Sequence, residues 1–220
     1  MAGRPADSSR RSSSSAKAAT RRGGAASPTA DSDVEARIVD AALRLAARDG
    51  WRATGLSAIA AEAGVGLAAF YDRFPDKAAL LAGVMRRVDR AMLAADDGGA
   101  EGSPRDRLFD VIMRRFEALQ LLRAGIAAIV AAGPDPLAAP TLLGAWRRSL
   151  AWMLEAAGIS ASGLAGRLRL AGLAVVYARA FRVWLSDDGA DLGKTMAALD
   201  RLLEQAERWA SSLPALDRQA

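Results

Sequence analysis

The 220-residue chain contains no cysteine and no histidine. Without cysteine it can form no disulfide, no thiolate nucleophile and no thiolate-ligated zinc site. Without histidine it has no imidazole base and no Ser-His-Asp triad. We therefore expect no metal and no cofactor, and the composition favours a binding protein over an enzyme. A carboxylate-based enzyme is the residual alternative, but the paired acids Asp187-Asp188 are typical of loops and helix caps.

Long apolar segments are also missing. No apolar run approaches the length of about 18 residues that a membrane span requires. The longest run covers residues 124–133 and ends at Pro134-Asp135-Pro136. The N-terminus lacks the apolar core of a secretory signal. These features predict a cytoplasmic protein with no transmembrane segment.

Positive charge is concentrated at the N-terminus. Residues 1–30 contain six basic residues and one acidic residue, whereas residues 31–220 contain 24 of each. The first segment is rich in Arg, Ser and Ala and poor in large apolar residues, so residues 1–32 are predicted to form a disordered basic tail. Two interpretations of this tail stay open: a weak electrostatic arm for nucleic acid, or a solvated tail.

From residue 33 onward, apolar residues recur at helical spacing and no alternating run indicates a strand. Ser32-x-x-Glu35 is a capping-box pattern, which predicts a helix that begins there. Ser103-Pro104, followed by Asp106, predicts another helix start.

The pattern as a whole predicts an all-α protein. Its expected parts are a small N-terminal helical domain over residues 33–94, a larger helical bundle over residues 103–212, and a short tail over residues 213–220.

The most informative segment runs from Leu56 to Lys77. Two short helices, one over residues 56–63 and one ending near Phe74, are joined by Gly64-Val65-Gly66, which are the proportions of a helix-turn-helix. Gly64 suits the left-handed backbone of a sharp turn. In such a unit the second helix enters the major groove of DNA. The residues expected inside its corner are Ile59, Ala60, Ala63, Val65 and Phe70.

Four motifs carry a family resemblance: Ile38-Val-Asp-Ala-Ala-Leu, Gly50-Trp-Arg-Ala-Thr54, Ile59-Ala-x-x-Ala-Gly-Val65 and Phe70-Tyr-x-x-Phe-Pro-x-Lys-x-x-Leu80. Together they resemble the N-terminal domain of TetR-family transcriptional repressors, over about residues 34–85. The resemblance implies three N-terminal DNA-reading helices and a C-terminal bundle that dimerises and often holds an apolar inducer.

The resemblance also implies roles for single residues. Thr54, Tyr71 and Lys77 match positions that commonly contact DNA phosphates in this family, and all three side chains can donate hydrogen bonds. Alternatively, Tyr71 is a half-buried core aromatic and Lys77 a surface charge. The full predicted DNA-binding set is Thr54, Gly66, Leu67, Ala68, Ala69, Tyr71, Arg73 and Lys77.

The chain departs from the family pattern at Gly55 and at Gly66-Leu67, where polar residues are usual. The recognition helix then offers Leu67, Ala68 and Ala69, which can contact a thymine methyl group but cannot hydrogen-bond to base edges. Residues 33–77 carry six basic and seven acidic residues, so this unit lacks the usual basic footprint of a DNA reader.

The C-terminal half supplies aromatic and methionine residues at helical spacing, which predict an apolar ligand pocket or, alternatively, an ordinary core. The pocket residues predicted are Phe109, Met113, Phe116, Trp146, Met153, Tyr177 and Phe181. Small residues on the later helices permit a two-fold interface between copies of the chain. These residues are Ala171, Gly172, Ala174, Ala178 and Ala180.

Two functional hypotheses follow. The first is a dimeric transcriptional repressor that binds a palindromic operator and is released by a small apolar ligand. The second rests on residues 149–158, 177–188 and 191–199, which are similar to TetR-fold lipid-binding accessory proteins of ubiquinone (coenzyme Q) biosynthesis. That similarity implies little or no specific DNA binding.

Overall fold

The computed structural model describes residues 1, 28–95 and 102–211. Within these residues the chain forms nine α-helices and no strand, as the periodicity predicted. The helices are α1 (Pro28–Asp49), α2 (Leu56–Ala63), α3 (Leu67–Tyr71), α4 (Lys77–Ala94), α5 (Pro104–Gln120), α6 (Arg123–Ala131), α7 (Ala139–Ala156), α8 (Gly163–Leu185) and α9 (Gly193–Ser211). Residues 2–27 of the predicted basic tail, and the predicted tail over residues 213–220, lie outside the described residues. Residues 28–32, which were predicted to belong to the disordered tail, are part of α1, so that boundary is wrong.

The two predicted helix starts have different outcomes. At Ser103-Pro104 the prediction is confirmed, because α5 begins at Pro104. The structure adds a capping box there: the Ser103 hydroxyl accepts the Asp106 amide at 3.2 Å and the Asp106 carboxylate accepts the Ser103 amide at 3.1 Å. At α1 the predicted start is wrong, because the helix begins at Pro28 and Ser32 lies inside it. Glu35 instead accepts a hydrogen bond from Arg86 of α4 at 2.8 Å.

Helix α6 was not predicted from the sequence. It is the apolar run that ends before Pro134, and it packs across α1. The contact is close at Gly125, where a Cβ atom would lie 2.7 Å from the Leu43 carbonyl oxygen. Because only glycine fits at this distance, Gly125 fixes how near the two helices approach.

The buried residues form two apolar cores, and α4 belongs to both. Leu80 and Val84 pack in the N-terminal core with α1, α2 and α3, whereas Val88 and Met92 pack in the bundle core. Ile126 of α6 contacts both cores. The predicted N-terminal unit therefore shares one continuous helix with the bundle, so movement of α4 affects both.

The start of α9 is held by Asp187, which confirms the capping role expected for the Asp187-Asp188 pair. The Asp187 carboxylate accepts hydrogen bonds from the amide and hydroxyl of Thr195, each at 2.8 Å, and from the Gly189 amide at 3.2 Å. Burial alone would raise the pKa of Asp187, but these donors outweigh it and lower the pKa below its ordinary value.

Candidate nucleic-acid interface

Helices α2 and α3 and the turn between them form the predicted helix-turn-helix. Gly64 ends α2 in the left-handed conformation, with φ 64° and ψ 39°, as predicted. The Val65 amide donates to the Ala60 carbonyl across the turn at 3.0 Å. Of the residues expected in the corner, Val65 is half-buried and the others are buried: Ile59, Ala60, Ala63 and Phe70.

The outer side of α3 presents several of the predicted DNA-binding residues. Gly66 and Ala68 are exposed, Leu67 is 61% exposed and Tyr71 is 66% exposed. Ala69 is half-buried. The alternative interpretation of Tyr71 as a core aromatic is therefore wrong, since Phe70 fills that position instead.

Lys77 lies at the first position of α4 and is half-buried against Trp51. Its Nζ atom donates to the Trp51 carbonyl oxygen at 3.0 Å and lies 4.8 Å from the centre of the indole ring. Burial lowers the pKa of Lys77, and the nearby charge of Asp135 opposes this effect. An ammonium group has three donors, so two remain for other acceptors.

Two members of the predicted set make internal contacts. Thr54, just before α2, is 3% exposed, and its hydroxyl donates to the Gly50 carbonyl oxygen at 2.9 Å. The Thr54 side chain is therefore buried and does not join the exposed residues of α3. Arg73 donates to the Ala69 carbonyl oxygen at 3.0 Å and forms an ion pair with Asp31 of α1. Arg73 thus ties the first turns of α1 to the recognition helix.

Sequence reasoning did not single out Arg37, which lies on the exposed side of α1. Its Nη1 atom lies 3.8 Å from the position that a Cβ would take at Gly64. This guanidinium group is therefore beside the turn of the helix-turn-helix. A surface cation at the tenth position of a helix carries no sequence signal of that proximity.

The predicted pocket residues of the bundle largely pack against one another. Phe116 and Tyr177 stack with ring centres 5.4 Å apart, and Trp146 meets Tyr177 edge-on at 5.7 Å. Phe181 stacks on Tyr177 at 6.1 Å. Met113 and Met153 are buried in the same core, and Phe109 packs against its edge. These contacts are those of an aromatic core.

One polar network lies within this core and was missed from the sequence. Arg115 of α5 is 5% exposed, donates to the Tyr177 hydroxyl at 3.0 Å and forms an ion pair with Asp89 of α4. The Ser149 hydroxyl of α7 donates to Asp89 at 2.7 Å. Burial opposes the charge of Arg115, but Tyr177 and Asp89 outweigh it and raise the pKa of Arg115.

A second polar contact joins the helix-turn-helix unit to the bundle. Arg52, in the loop before α2, donates through Nε and Nη2 to the carbonyl oxygen of Ala132 at 2.8 and 2.6 Å. Ala132 is the C-terminal cap of α6. Together with Gly125 against Leu43, this contact ties both ends of α6 to the N-terminal unit.

Within residues 28–95 and 102–211, no group of three or more acidic side chains is arranged to hold a metal ion. No helix in that part of the chain is both long and apolar enough to cross a membrane.

Comparison with known proteins bears on the same elements. Residues 38–84, from α1 to the middle of α4, match the family of bacterial regulatory proteins, tetR family. A search of curated protein sequences finds no match.

Among solved structures, a TetR transcriptional regulator from Nitrosomonas europaea is 26% identical, with a TM-score of 0.64, over 79% of this chain and 98% of that chain. A TetR transcriptional regulator from Rhodococcus sp. RHA1 is 24% identical, with a TM-score of 0.61, over 80% of this chain and 96% of that one. A TetR-family regulator from Syntrophomonas wolfei is 15% identical, with a TM-score of 0.56, over 85% of this chain and 100% of that one.

Fold and interface together define an all-α, helix-turn-helix DNA-binding protein with a helical bundle attached. Residues 38–84 match the tetR family of bacterial regulatory proteins, and the chain as a whole is similar in fold to TetR transcriptional regulators. Members of this family are generally non-enzymatic. The similarity of the C-terminal half to lipid-binding accessory proteins finds no support in these comparisons.

Proposed function

We propose that this regulator is a repressor that binds a palindromic operator as a dimer and is released by a small apolar ligand. The observation that carries the proposal is the outward face of α3. Leu67 and Tyr71 are exposed on a short helix whose opposite side, at Phe70, is buried. A helix held in this way can enter a major groove without rearrangement.

Within the proposed complex, contacts divide into two kinds. The Tyr71 hydroxyl and the Lys77 ammonium group donate to phosphate oxygens, which fixes the position of the unit on the duplex. Leu67 and Ala68 contact thymine methyl groups, which supplies apolar base readout. Thr54 holds the loop before α2 through its bond to Gly50 and takes no part in direct contact.

Dimer formation is supported by an apolar strip on α8. Leu164, Leu168 and Val175 are 75%, 50% and 53% exposed, and Ala171 and Gly172 lie exposed between them. Small and apolar residues at this spacing allow two helices to pack closely across a two-fold axis. Such a dimer would place two α3 helices on one face, to read half-sites about 34 Å apart.

Ligand control is supported by the composition of the bundle and by its links to the N-terminal unit. A ligand that enters among Phe116, Trp146 and Tyr177 would displace aromatic contacts and disturb the Asp89–Arg115 pair. Asp89 lies on α4, the helix that both cores share. A ligand that binds one position of α4 better than another shifts the population of the DNA-binding form.

The DNA part is tested by selecting duplexes from a random library with the full-length protein and measuring affinity by fluorescence anisotropy. Lys77→Ala should reduce the slope of log K against log salt by about 0.9, the value for one lost phosphate contact. Lys194→Ala, which removes an exposed lysine on α9, is the matched control and should leave the slope unchanged. Equal slopes for the two variants, or failure to select any sequence, would contradict the proposal.

The dimer is tested by light scattering during gel filtration. Leu168→Glu should yield monomers and weaken operator binding, whereas Leu143→Glu, at an exposed leucine of α7, should leave the dimer intact.

Ligand binding is tested with a panel of small aromatic and medium-chain aliphatic compounds, which is screened for quenching of tryptophan fluorescence. Compounds that quench the fluorescence yet leave duplex affinity unchanged would argue against ligand-controlled release.

A further inference from the structure

The cations of the N-terminal unit are mostly engaged by groups of the protein itself. Residues 28–95 contain nine basic and nine acidic residues. Six of the nine cations lie within ion-pair distance of a carboxylate: Arg44, Arg48, Arg73, Arg86, Arg87 and Arg90. Arg52 and Lys77 donate to backbone carbonyl oxygens instead. The ninth cation is Arg37 of α1.

Arg37 differs from the other eight cations in having no internal partner. Within residues 28–95 and 102–211, its guanidinium group forms no ion pair and donates no hydrogen bond. Asp33 precedes it by four residues, which is the spacing of a helical ion pair, yet the two side chains do not pair. Because Arg37 is exposed, its five N–H donors remain available to a ligand.

The position of Arg37 is beside the turn of the helix-turn-helix. Its Nη1 atom lies 3.8 Å from the position that a Cβ would take at Gly64. Arg44 lies about two turns further along the same face of α1 and pairs with Glu62, in the last turn of α2, at 3.3 Å. This face of α1 therefore lies alongside the C-terminal end of α2 and the turn that follows it.

The turn leads directly into the end of α3 that is expected to approach DNA most closely. In a helix-turn-helix complex the N-terminal residues of the recognition helix contact base edges, and phosphates form the walls of the groove. Gly66 and Leu67, at the start of α3, are exposed. A cation beside this turn therefore lies at the edge of the groove that α3 enters.

We propose that Arg37 contacts a phosphate of the DNA backbone at the edge of the half-site, next to the N-terminal end of α3. The contact adds affinity that does not depend on base sequence. Tyr71 and Lys77 lie at the C-terminal end of α3 and beyond it, so Arg37 holds the recognition helix from its other end. This inference rests on the DNA-binding part of the proposed function and is independent of the palindromic operator, the dimer and the ligand.

The test compares full-length variants at two exposed arginines of α1. Arg37→Gln removes the charge, whereas Arg37→Lys keeps it. Arg48→Gln is the matched control, because Arg48 is exposed on the same face about three turns further along but pairs with Asp49 at 2.9 Å. Urea unfolding should show all three variants to be about as stable as the wild type, as expected for exposed side chains.

Affinity for the selected duplex is measured by fluorescence anisotropy over a series of salt concentrations. Arg37→Gln should reduce the slope of log K against log salt by about 0.9, the value for one lost phosphate contact, and Arg37→Lys should keep the wild-type slope. Arg48→Gln should change the slope by much less, because Asp49 already offsets its charge. A wild-type slope for Arg37→Gln, or equal losses for Arg37→Gln and Arg48→Gln, would overturn the inference.

A second measurement locates the contact on the duplex. Single phosphates around the half-site are replaced in turn by uncharged methylphosphonates. At one position the wild type should lose roughly tenfold or more in affinity, whereas Arg37→Gln should lose little there, since its contact is already absent. If the wild type and Arg37→Gln lose the same affinity at every position, Arg37 contacts no phosphate and the inference is wrong.

Failure of this inference is distinguishable from failure of the repressor proposal. If the wild type selects no sequence, the repressor proposal fails, and the salt slopes on an unrelated duplex still decide the role of Arg37, because every other cation is shared by the wild type and Arg37→Gln. If sequences are selected but the slopes of these two proteins coincide, the repressor proposal stands and the inference about Arg37 fails.

Discussion

The contact between α6 and α1 can be probed by adding one methyl group at Gly125. This glycine is buried, and a Cβ would lie 2.7 Å from the carbonyl oxygen of Leu43 and 2.8 Å from its Cβ. Neither atom belongs to the flexible end of a side chain, so Gly125→Ala forces the two helices apart. Gly144, in α7, offers a matched control because nothing lies within 4 Å of its Cβ position.

The two substitutions are expected to change the free energy of unfolding in opposite directions. Replacing an unstrained glycine inside a helix by alanine stabilises a protein by roughly 0.5–1 kcal/mol, which is the expectation for Gly144→Ala. Gly125→Ala receives the same gain but also the cost of overpacking, typically about 1–3 kcal/mol. The free energies of unfolding of the two variants should therefore differ by about 1–3 kcal/mol, with Gly125→Ala the less stable.

The measurement is urea unfolding of each variant at one fixed protein concentration, since association adds to apparent stability. With a urea m-value of about 2 kcal/mol/M, the midpoints should lie about 0.5–1.5 M apart. If Gly125→Ala is as stable as Gly144→Ala, α6 does not approach α1 as described. The link that α6 makes between the two cores would then lose its basis.

Three further predictions concern polar contacts. Asp89→Ala should lower the free energy of unfolding by about 3–5 kcal/mol, measured by urea unfolding, because it leaves the buried Arg115 charge without its partner. Asp187→Asn should reduce the loss of unfolding free energy that occurs as the pH is lowered. Because the pKa of Asp187 is lowered in the folded protein, its carboxylate stabilises the fold above about pH 4. That stabilisation is lost as the pH falls through the pKa of the folded state, and asparagine has no such dependence. Urea midpoints between pH 2 and 5 that match the wild type would contradict this. Arg52→Ala should cost about 0.5–1.5 kcal/mol in urea unfolding by removing the donors to the Ala132 carbonyl, and an unchanged midpoint would show that this contact is not made in solution.

Local sequence determined the elements whose causes lie within a few residues. Gly64 takes the left-handed conformation that the turn requires, and Ser103 with Asp106 closes a capping box. In these cases the groups that satisfy the backbone are neighbours along the chain, so spacing was enough. The family resemblance over residues 34–85 rests on the same kind of short-range pattern, and the match to residues 38–84 agrees with it.

Tertiary structure decided which of two similar local patterns begins a helix. Ser32 with Glu35 has the same spacing as a capping box, yet α1 continues through it, because Asp31 pairs with Arg73 and Glu35 with Arg86. Both partners are distant in sequence. A helix start is thus chosen by contacts that a local pattern does not contain.

In the candidate nucleic-acid interface too, some features follow from local sequence and others only from tertiary structure. The sequence alone determined that a short helix follows the turn and that its residues are Leu67, Ala68 and Ala69. Only the tertiary structure decided that Tyr71 faces outward, that Thr54 turns its hydroxyl inward, and that Arg115 finds Asp89 inside the bundle. Periodicity specifies which face of a helix is apolar, but the partner of each polar group depends on which other helix packs there, and that is fixed by the fold as a whole.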